Sequence, residues 1–255
     1  MGKILAIANQ KGGVGKTTTA VNLGAALAQS RRRVLLVDMD PQGNATVGSG
    51  VVRDELELSV YDALLDPAVA AAAVVRRDSG HHILPAHDDL AGAQVELLDM
   101  DEQRYFRLQQ VLRGAGEYDY VLVDCPPSLN ILTVNALAAA HGVLIPVQCE
   151  YYSLEGLAAL TRTIDRIRDS LNKSLVIEGM LRTMHDTRNA LSREVSEQVA
   201  RYFGDKVYRT IVPRNVRLAE APGHGMSVLA YDMHSSGATA YLALAGEILK
   251  KENRA

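Results

Sequence analysis

Apolar and polar residues alternate along this chain in blocks, not residue by residue. Six short blocks are apolar throughout and rich in Val, Ile and Leu, as expected for strands that are covered on both faces of a sheet. We therefore predict strands at residues 4–9, 33–40, 118–126, 142–149, 175–184 and 207–212.

Helical patterns lie between these strands, at residues 16–30 and 154–171 among others. The second of these repeats its apolar positions at helical spacing, at Leu157, Leu160, Ile164, Ile167 and Leu171. Strands that alternate with helices predict right-handed crossovers. The predicted fold is α/β, with a doubly wound, mostly parallel sheet flanked by helices.

The chain has neither an internal repeat nor a Pro-rich linker, so we predict one domain over residues 1–255. Residues 51–82 are rich in helix-forming residues and are predicted to be a helical insertion at one edge of the sheet. The pair His81 and His82 is predicted to lie on the surface. Together with His87 it lacks the spacing to further ligands that a zinc site needs.

Composition indicates an ordinary globular protein, with 47% hydrophobic and 22% charged residues. Two cysteines, Cys125 and Cys149, are too few for a disulfide framework and are predicted to be small buried residues. No stretch approaches 18 apolar residues, and the first residues lack the layout of a signal peptide. We expect a soluble, cytoplasmic protein that does not bind membrane.

The net charge of −3 is unevenly distributed along the chain. Residues 41–110 contain 12 acidic and 5 basic residues, and residues 161–217 contain 7 acidic and 12 basic residues. Clustered basic residues can attract a polyanion although the whole chain is slightly acidic. Scattered solvated charge is the alternative interpretation.

A glycine-rich loop follows the first predicted strand directly, in the sequence "KGGVGKTT". A turn through Gly12, Gly13 and Gly15 can direct backbone N–H groups at a phosphate, and the next helix adds its positive N-terminal end. Lys16 would reach the β- and γ-phosphates, and the Thr17 hydroxyl would bind Mg²⁺. This pattern predicts a site for a nucleoside triphosphate.

Three aspartates come at the ends of predicted strands, where ligands of open α/β sheets bind. Asp124 ends the apolar run "YVLV" and is predicted to support Mg²⁺. Asp38 and Asp40 end another strand in "VDMDPQGN". One of them is predicted to position the attacking water, and Asp40 has the better reach because it lies further beyond the strand.

Several of these segments together resemble one family. "KGGVGKTT", "LLVDMDPQGNAT", "DYVLVDCPPS", "IPVQCEYYSLEGL" and "VPRNVRLAEAPGHG" are similar to the deviant Walker-A ATPases of the ParA/Soj type, within the ParA/MinD superfamily of P-loop proteins. The likeness runs from about residue 3 to residue 250. It implies an enzyme that binds ATP with Mg²⁺ and hydrolyses it to ADP and phosphate.

The resemblance also implies roles for individual residues. The implied nucleotide-binding residues are Lys11, Gly12, Gly13, Val14, Gly15, Lys16, Thr17, Thr18, Pro213 and Asn215, the last two at the adenine. The implied catalytic residues are Lys11, Lys16 and Asp40, and the implied metal residues are Thr17, Asp38 and Asp124. Arg188 and Arg217 lie in the basic region and match positions that the family uses for DNA.

Lys11 is a second lysine that an ordinary phosphate loop does not need. In the family this lysine crosses an ATP-bound homodimer to the phosphates held by the other subunit. The resemblance further implies non-specific binding to double-stranded DNA, stimulation by a ParB-type centromere-binding protein, and a place on the nucleoid in chromosome or plasmid segregation.

Three alternatives remain open. A division-site ATPase of the MinD type would bind membrane through a C-terminal amphipathic helix, but the end of this chain suits a helix packed on the sheet. An electron-transfer protein that resembles nitrogenase reductase would use its cysteines for a shared iron–sulfur cluster. A nucleotide-binding scaffold would bind ATP without hydrolysing it.

Overall fold

A computed structural model of the protein describes residues 2–77, 80–150 and 153–252, without the side chains of 153–155. In this part of the chain seven strands form one sheet in the order β3-β2-β4-β1-β5-β6-β7, and every strand pair in it is parallel. The strands are β1 Lys3–Ile7, β2 Val34–Asp38, β3 His82–Leu84, β4 Tyr120–Asp124, β5 Gly142–Gln148, β6 Val176–His185 and β7 Val207–Pro213.

Helices connect the strands and cover both faces of the sheet. The α-helices are α1 Lys16–Gln29, α2 Asn44–Gly48, α3 Val60–Leu65, α4 Ala70–Ala73, α5 Leu90–Leu98, α6 Arg107–Gly114, α7 Ile131–Ala139, α8 Ser153–Ser170, α9 Ala190–Phe203, α10 Val216–Glu220, α11 Val228–Tyr231 and α12 Ser236–Glu252. Short 3₁₀ turns occur at Arg53–Glu55, Pro67–Val69, Glu102–Tyr105, Gly204–Lys206 and Ala221–His224.

Successive residues of each strand point to opposite faces of the sheet and contribute to two apolar cores, one on each face. In β1, Leu5 and Ile7 pack with α1 and α12, whereas Ile4 and Ala6 pack with the helices of the opposite face. Because both faces are covered, the strand residues of β1, β2 and β4 are buried almost throughout. This is the physical reason for the continuous apolar runs in the sequence.

The register of the central strands brings the polar groups at their ends to one edge. β1 pairs with β4 from Lys3 opposite Tyr120 to Ile7 opposite Asp124, and β2 pairs with β4 so that Asp38 lies opposite Asp124. The glycine-rich loop, Asp38 and Asp124 therefore all emerge at the carboxyl edge of neighbouring strands, where open α/β sheets bind ligands.

The α/β fold class and the six predicted strands are confirmed, with strand ends that differ by a few residues. The seventh strand, β3, was not predicted. It begins at His82, the last residue of the segment that we expected to be a helical insertion, so the chain passes from the helices of that segment directly into an edge strand. The prediction of a surface histidine pair is wrong for His81, which is buried and lies 2.9 Å from the Ser49 hydroxyl through its Nε2 atom.

Helix α12 packs on the sheet as its apolar pattern indicates, with Tyr241, Leu244 and Ile248 buried. Both cysteines are buried and unpaired, which confirms their interpretation as small core residues. In the part of the chain that the structure describes, no helix combines the length and apolar character needed to cross a membrane.

Candidate active site

The loop between β1 and α1 has the geometry of a phosphate cradle. Gly13 and Gly15 adopt left-handed conformations, with φ of 72° and 87°, which residues with a side chain rarely adopt. The Thr183 hydroxyl on β6 donates a hydrogen bond of 2.8 Å to the carbonyl of Val14 and so fixes the loop from behind. No side chain caps the first turn of α1, which leaves its N–H groups available for an anion.

An open cleft of about 610 Å³ lies over this loop. Seven residues predicted for the site line it, namely Gly12, Gly13, Gly15, Lys16, Thr17, Thr18 and Asp40. It is also lined by residues that the sequence did not indicate, namely Pro41, Gln42, Asn44, Gln94, Pro126, Pro127, Ser128, Asn130 and Met184. Val14 was predicted for the site, but its side chain is buried and only its backbone belongs to the loop.

Lys16 is nearly buried at the base of the cleft, with 7% of its surface exposed. Its ammonium donates a hydrogen bond of 3.2 Å to the carbonyl of Lys11. Burial lowers the pKa of Lys16, and the nearby carboxylate of Asp124 acts in the opposite direction. A lysine held in this way is a fixed cation that a phosphate can approach without first ordering a flexible side chain.

Asp124 is completely buried, and neither of its carboxylate oxygens has a hydrogen-bond partner of normal geometry. Burial raises the pKa of Asp124 well above its ordinary value, and the neighbouring Asp38 raises it further, while the Thr17 hydroxyl and Lys16 act against both. A buried carboxyl without partners is costly. These oxygens beside Thr17 are the oxygen donors that Mg²⁺ prefers, so the residues present fit a magnesium ion.

Asp38 is also completely buried, but its oxygens already have partners. One oxygen accepts hydrogen bonds of 2.8 Å from both the backbone N–H and the hydroxyl of Thr46, and the other accepts one of 3.2 Å from the N–H of Asp40. Burial raises the pKa of Asp38 to about 6, against the effect of those hydrogen bonds. Its role at the metal stays a prediction, and the geometry favours Asp124 for that role.

Asp40 begins the turn that follows β2 and faces the cleft. Its carboxylate accepts a hydrogen bond of 3.1 Å from the N–H of Gln42, and its carbonyl accepts one of 2.9 Å from the N–H of Gly43. The turn therefore sets the direction of the carboxylate. Within the described residues no three acidic, histidine or cysteine side chains form a metal cluster, so phosphate or water would have to complete a magnesium site.

A second cleft of about 360 Å³ adjoins the first and shares Gly15, Thr18 and Met184 with it. Pro213 and Asn215, the residues predicted for the adenine, both line this second cleft. The Asn215 side chain caps α10 at the N–H of Leu218 and donates a hydrogen bond of 2.9 Å to the Ser236 hydroxyl. The structure thus places the predicted base-binding residues next to the phosphate loop.

Lys11, also predicted for the site, has its side chain in an ion pair at the surface. Its ammonium lies 2.5 Å from the carboxylate of Glu150, and its side chain is 41% exposed. Among the described residues that line the two clefts, Lys16 is present and Lys11 is not. The two lysines of the loop therefore have different surroundings.

Arg188 and Arg217 line neither of the two clefts described above. Arg188 forms an ion pair of 2.9 Å with Asp186, whose pKa its guanidinium lowers to about 2. Arg217 forms ion pairs with Glu220 at 2.8 Å and with Asp232 at 3.3 Å. Each arginine thus has an acidic partner within three residues of it in the sequence.

Comparisons with known proteins agree with this geometry. A family model described as an AAA domain matches residues 2–177. The sporulation initiation inhibitor protein Soj of Bacillus subtilis is 53% identical over 97% of this chain and 98% of that protein. The chromosome partitioning protein ParA of Caulobacter vibrioides is 51% identical over 98% of this chain and 95% of that protein. The chain belongs to the ParA/Soj family of chromosome-partitioning ATPases.

This membership confirms the resemblance and the predicted enzyme class, an ATPase. A solved structure of cobyrinic acid a,c-diamide synthase from Mycobacterium smegmatis, with bound ATP analog and magnesium, is 40% identical to this chain. It matches with a TM-score of 0.86 and covers 99% of this chain and 96% of that chain. A relative with the same fold thus binds an ATP analog together with magnesium, although its name gives it another activity.

Proposed function

We propose that this ParA/Soj-family ATPase is a switch that ATP converts into a DNA-binding homodimer. Hydrolysis then returns it to a state that releases DNA, in the segregation of a chromosome or plasmid. The observation that carries the proposal is the different placement of the two lysines of the phosphate loop. Lys16 serves the cleft of its own subunit, whereas Lys11 is free of that cleft and can serve a neighbour.

The position of Lys11 supports a role between subunits. Its ammonium is at the surface with Glu150 as its partner, and an exposed ion pair of this kind is weak enough to exchange for a phosphate. Two subunits that face each other over two ATP molecules bring dense negative charge into one interface. A lysine from the opposite subunit offsets part of that charge, as an arginine finger does in other nucleotide hydrolases.

Gly12 supports the same arrangement. A Cβ atom added at Gly12 would meet no atom of the described residues within 4 Å, apart from its two chain neighbours, and the φ of Gly12 is not in the left-handed region. Neither packing nor backbone conformation within the subunit requires a glycine at this position. A second subunit that approaches the phosphates closely is a physical reason for it, because any side chain would then occupy the space between subunits.

The nucleotide would be held by residues of both clefts. The loop from Gly12 to Thr18 would surround the phosphates, with Lys16 between the β- and γ-phosphates, and Pro213 and Asn215 would contact the adenine. Thr17 and Asp124 would hold Mg²⁺. The ion would offset the negative charge that develops on the phosphate oxygens when the γ-phosphate is transferred.

Asp40 would orient the water that attacks the γ-phosphate. It faces the phosphate cleft from a turn that is tied to Asp38, while Asp38 itself is buried behind that turn. Positioning is the main contribution that a protein makes to phosphoryl transfer, so a carboxylate held at the cleft suits this role.

Dimerisation would create the DNA-binding surface by doubling the number of phosphate contacts. Arg188 and Arg217 are exposed and would contact the DNA backbone, after exchanging their acidic partners for phosphates. Because binding to the DNA backbone depends steeply on the number of phosphates neutralised, a monomer would bind weakly and a dimer tightly. Backbone contacts carry no sequence information, so the binding would be non-specific.

We further infer from the family that a ParB-type centromere-binding protein with a basic N-terminal peptide stimulates hydrolysis, at the nucleoid in the cytoplasm. The excess of acidic over basic residues in 41–110 supports attraction of a basic peptide to this part of the chain.

The test combines sedimentation with DNA and analytical ultracentrifugation of the wild-type protein. With ATP and Mg²⁺ we expect a dimer that co-sediments with unrelated DNA fragments, and with ADP a monomer that stays in solution. Binding to DNA that does not depend on the nucleotide, or a monomer with ATP, would contradict the proposal. Phosphate release with DNA and the partner present separates a switch from a non-hydrolysing scaffold.

A further inference from the structure

Arg53 is the first residue of the short 3₁₀ turn Arg53–Glu55. It lies against a different turn, the one after β2 that carries Asp40. Its guanidinium donates hydrogen bonds to the carbonyl of Gln42 at 3.1 Å and to the carbonyl of Pro41 at 3.5 Å, and it forms an ion pair with Asp88. We infer that Arg53 and Asp88 form a clamp that holds the Asp40 turn in the orientation needed for hydrolysis. Arg53 is then a positioning residue for this ATPase.

The contact between Arg53 and the turn is close. A Cβ atom at Gly43 would lie 2.8 Å from the Arg53 Nε atom and 2.9 Å from its central carbon. Gly43 also has a φ of 63°, so a side chain there would be unfavourable for two reasons. The guanidinium therefore packs directly on the backbone of the turn at Gly43.

Arg53 acts on Asp40 only through this turn. Asp40, Pro41 and Gln42 line the phosphate cleft, whereas Arg53 is absent from its described lining and contacts the outer side of the turn. The Asp40 carboxylate accepts a hydrogen bond from the N–H of Gln42, and the Pro41 carbonyl that Arg53 contacts belongs to the same peptide group as that N–H. A shift of this peptide group would move the donor to the Asp40 carboxylate and so turn the carboxylate as well.

Asp88 connects the clamp to a second wall of the cleft. It lies just before α5, and Gln94 of that helix lines the same cleft as the turn. The Arg53 side chain is 20% exposed, and its buried Nε has no hydrogen-bond partner in the described residues. The guanidinium is therefore held through its two terminal nitrogens, by the turn on one side and by Asp88 on the other.

This inference rests on the proposed role of Asp40 in orienting water. If Asp40 must be held within a fraction of an ångström, loosening its turn lowers the rate of the chemical step and leaves nucleotide binding by the phosphate loop unchanged. The clamp predicts a loss in kcat without a matching change in KM.

Arg53→Ala tests the clamp, and Arg107→Ala is the matched control. Arg107 is also half-buried and donates to two backbone carbonyls, those of Leu64 and Leu65, but far from the cleft. We expect Arg53→Ala to lower the kcat for ATP about tenfold with KM within about twofold, and Arg107→Ala to leave both near wild type. Arg53→Lys should recover part of kcat, because a lysine can reach one of the two acceptors.

Hydrogen exchange gives a readout that does not depend on activity. The amides of Gln42 and Gly43 should exchange faster in Arg53→Ala than in wild type or Arg107→Ala, measured without nucleotide. Asp88→Asn should produce a smaller effect, and combining it with Arg53→Ala should add little to Arg53→Ala alone.

Wild-type kcat and wild-type exchange in Arg53→Ala would overturn the clamp. An equal loss of kcat in Arg107→Ala, at equal thermal stability, would overturn it as well. Failure of the proposed role of Asp40 can be distinguished from failure of the clamp. If only the role of Asp40 is wrong, Asp40→Ala keeps wild-type turnover, but the amides of Gln42 and Gly43 still exchange faster in Arg53→Ala.

Discussion

The phosphate cleft and the two arginines predicted for DNA hold their charges in opposite ways. Lys16 and Asp124 are 7% and 0% exposed, and Asp124 has no hydrogen-bond partner among the described residues. The side chains of Arg188 and Arg217 are 88% and 50% exposed, and each forms an ion pair with an acidic residue of its own surface. The cleft thus contains a few buried charged groups. The two arginines are exposed to solvent and already have acidic partners.

The difference predicts how each region responds to change. A buried charge interacts strongly with a ligand because the surroundings screen it little, so a single substitution in the cleft has a large effect. An exposed arginine must first leave its own partner, and salt screens it, so its individual contribution is small. Activity in the cleft should therefore depend on particular residues, whereas affinity for DNA should depend on the number of cations.

The largest expected effect is that of Asp40→Ala. Nucleotide and Mg²⁺ binding should remain, since Thr17 and Asp124 are unchanged, but turnover should fall about 10²–10⁴-fold because the water is no longer oriented. The ATP-bound dimer should accumulate on DNA. Phosphate release and DNA sedimentation measure both effects, with Asp54→Ala as the control at an exposed acid nearby. Near-normal turnover would transfer the role to Asp38.

The next largest effect is that of Lys11→Ala. The variant should bind ATP through Lys16 and the loop, but its dimer should weaken about 30-fold or more, because charge in the interface would lose a partner. Ultracentrifugation with ATP measures this. Lys3→Ala is the matched control, since Lys3 also pairs with a glutamate, Glu178, but at the opposite edge of the sheet. A normal ATP-dependent dimer of Lys11→Ala would contradict the role between subunits.

Asp124→Asn should have an intermediate effect. Replacing the charged carboxyl by an amide at a buried metal site should lower the affinity for Mg²⁺ about 10–100-fold in the presence of nucleotide. A magnesium titration of ATPase activity gives the shift. Asp119→Asn, at the opposite end of the same strand region, is the control. If Asp124→Asn titrates like wild type while Asp38→Asn does not, the metal role belongs to Asp38.

The smallest effects per residue are expected for Arg188→Ala and Arg217→Ala. Each removes two phosphate contacts per dimer, which lowers the slope of log affinity against log salt by about 1.8 and the affinity at physiological salt by about tenfold. The loss should be equal for unrelated DNA fragments, with dimerisation unchanged. Arg168→Ala, another exposed arginine paired with an aspartate, serves as control. An unchanged slope for both variants would place the DNA surface elsewhere.

The pattern of the sequence predicted most of the fold because the sheet is buried on both faces. Continuous apolar runs located six strands, and the helix over residues 154–171 was predicted within one residue of α8, Ser153–Ser170. The three-residue strand β3 was missed because it is too short to carry a period. It exists because Leu35, Leu36 and Val37 of β2 pair with it, and such pairing is not a property of local sequence.

The sequence also predicted the phosphate loop and its chemistry, since the spacing of glycines, lysine and threonine is local and follows one strand. It assigned roles to the neighbouring aspartates but did not predict how their surroundings differ. Asp38 and Asp124 end neighbouring strands, yet Asp38 accepts hydrogen bonds from Thr46 and Asp40, whereas neither oxygen of Asp124 has a partner of normal geometry among the described residues. This difference depends on which backbone groups the fold brings to each carboxylate.

By itself, then, the sequence determined the fold class, the phosphate loop and the family, because these depend on periodicity and on contiguous motifs. Only the tertiary structure decided that Lys11 pairs with Glu150 and that Arg53 lies on the turn of Asp40. The physical reason is the same in each case. These arrangements are made by side chains distant in sequence or by the folding of a loop, and neither is encoded in a local pattern.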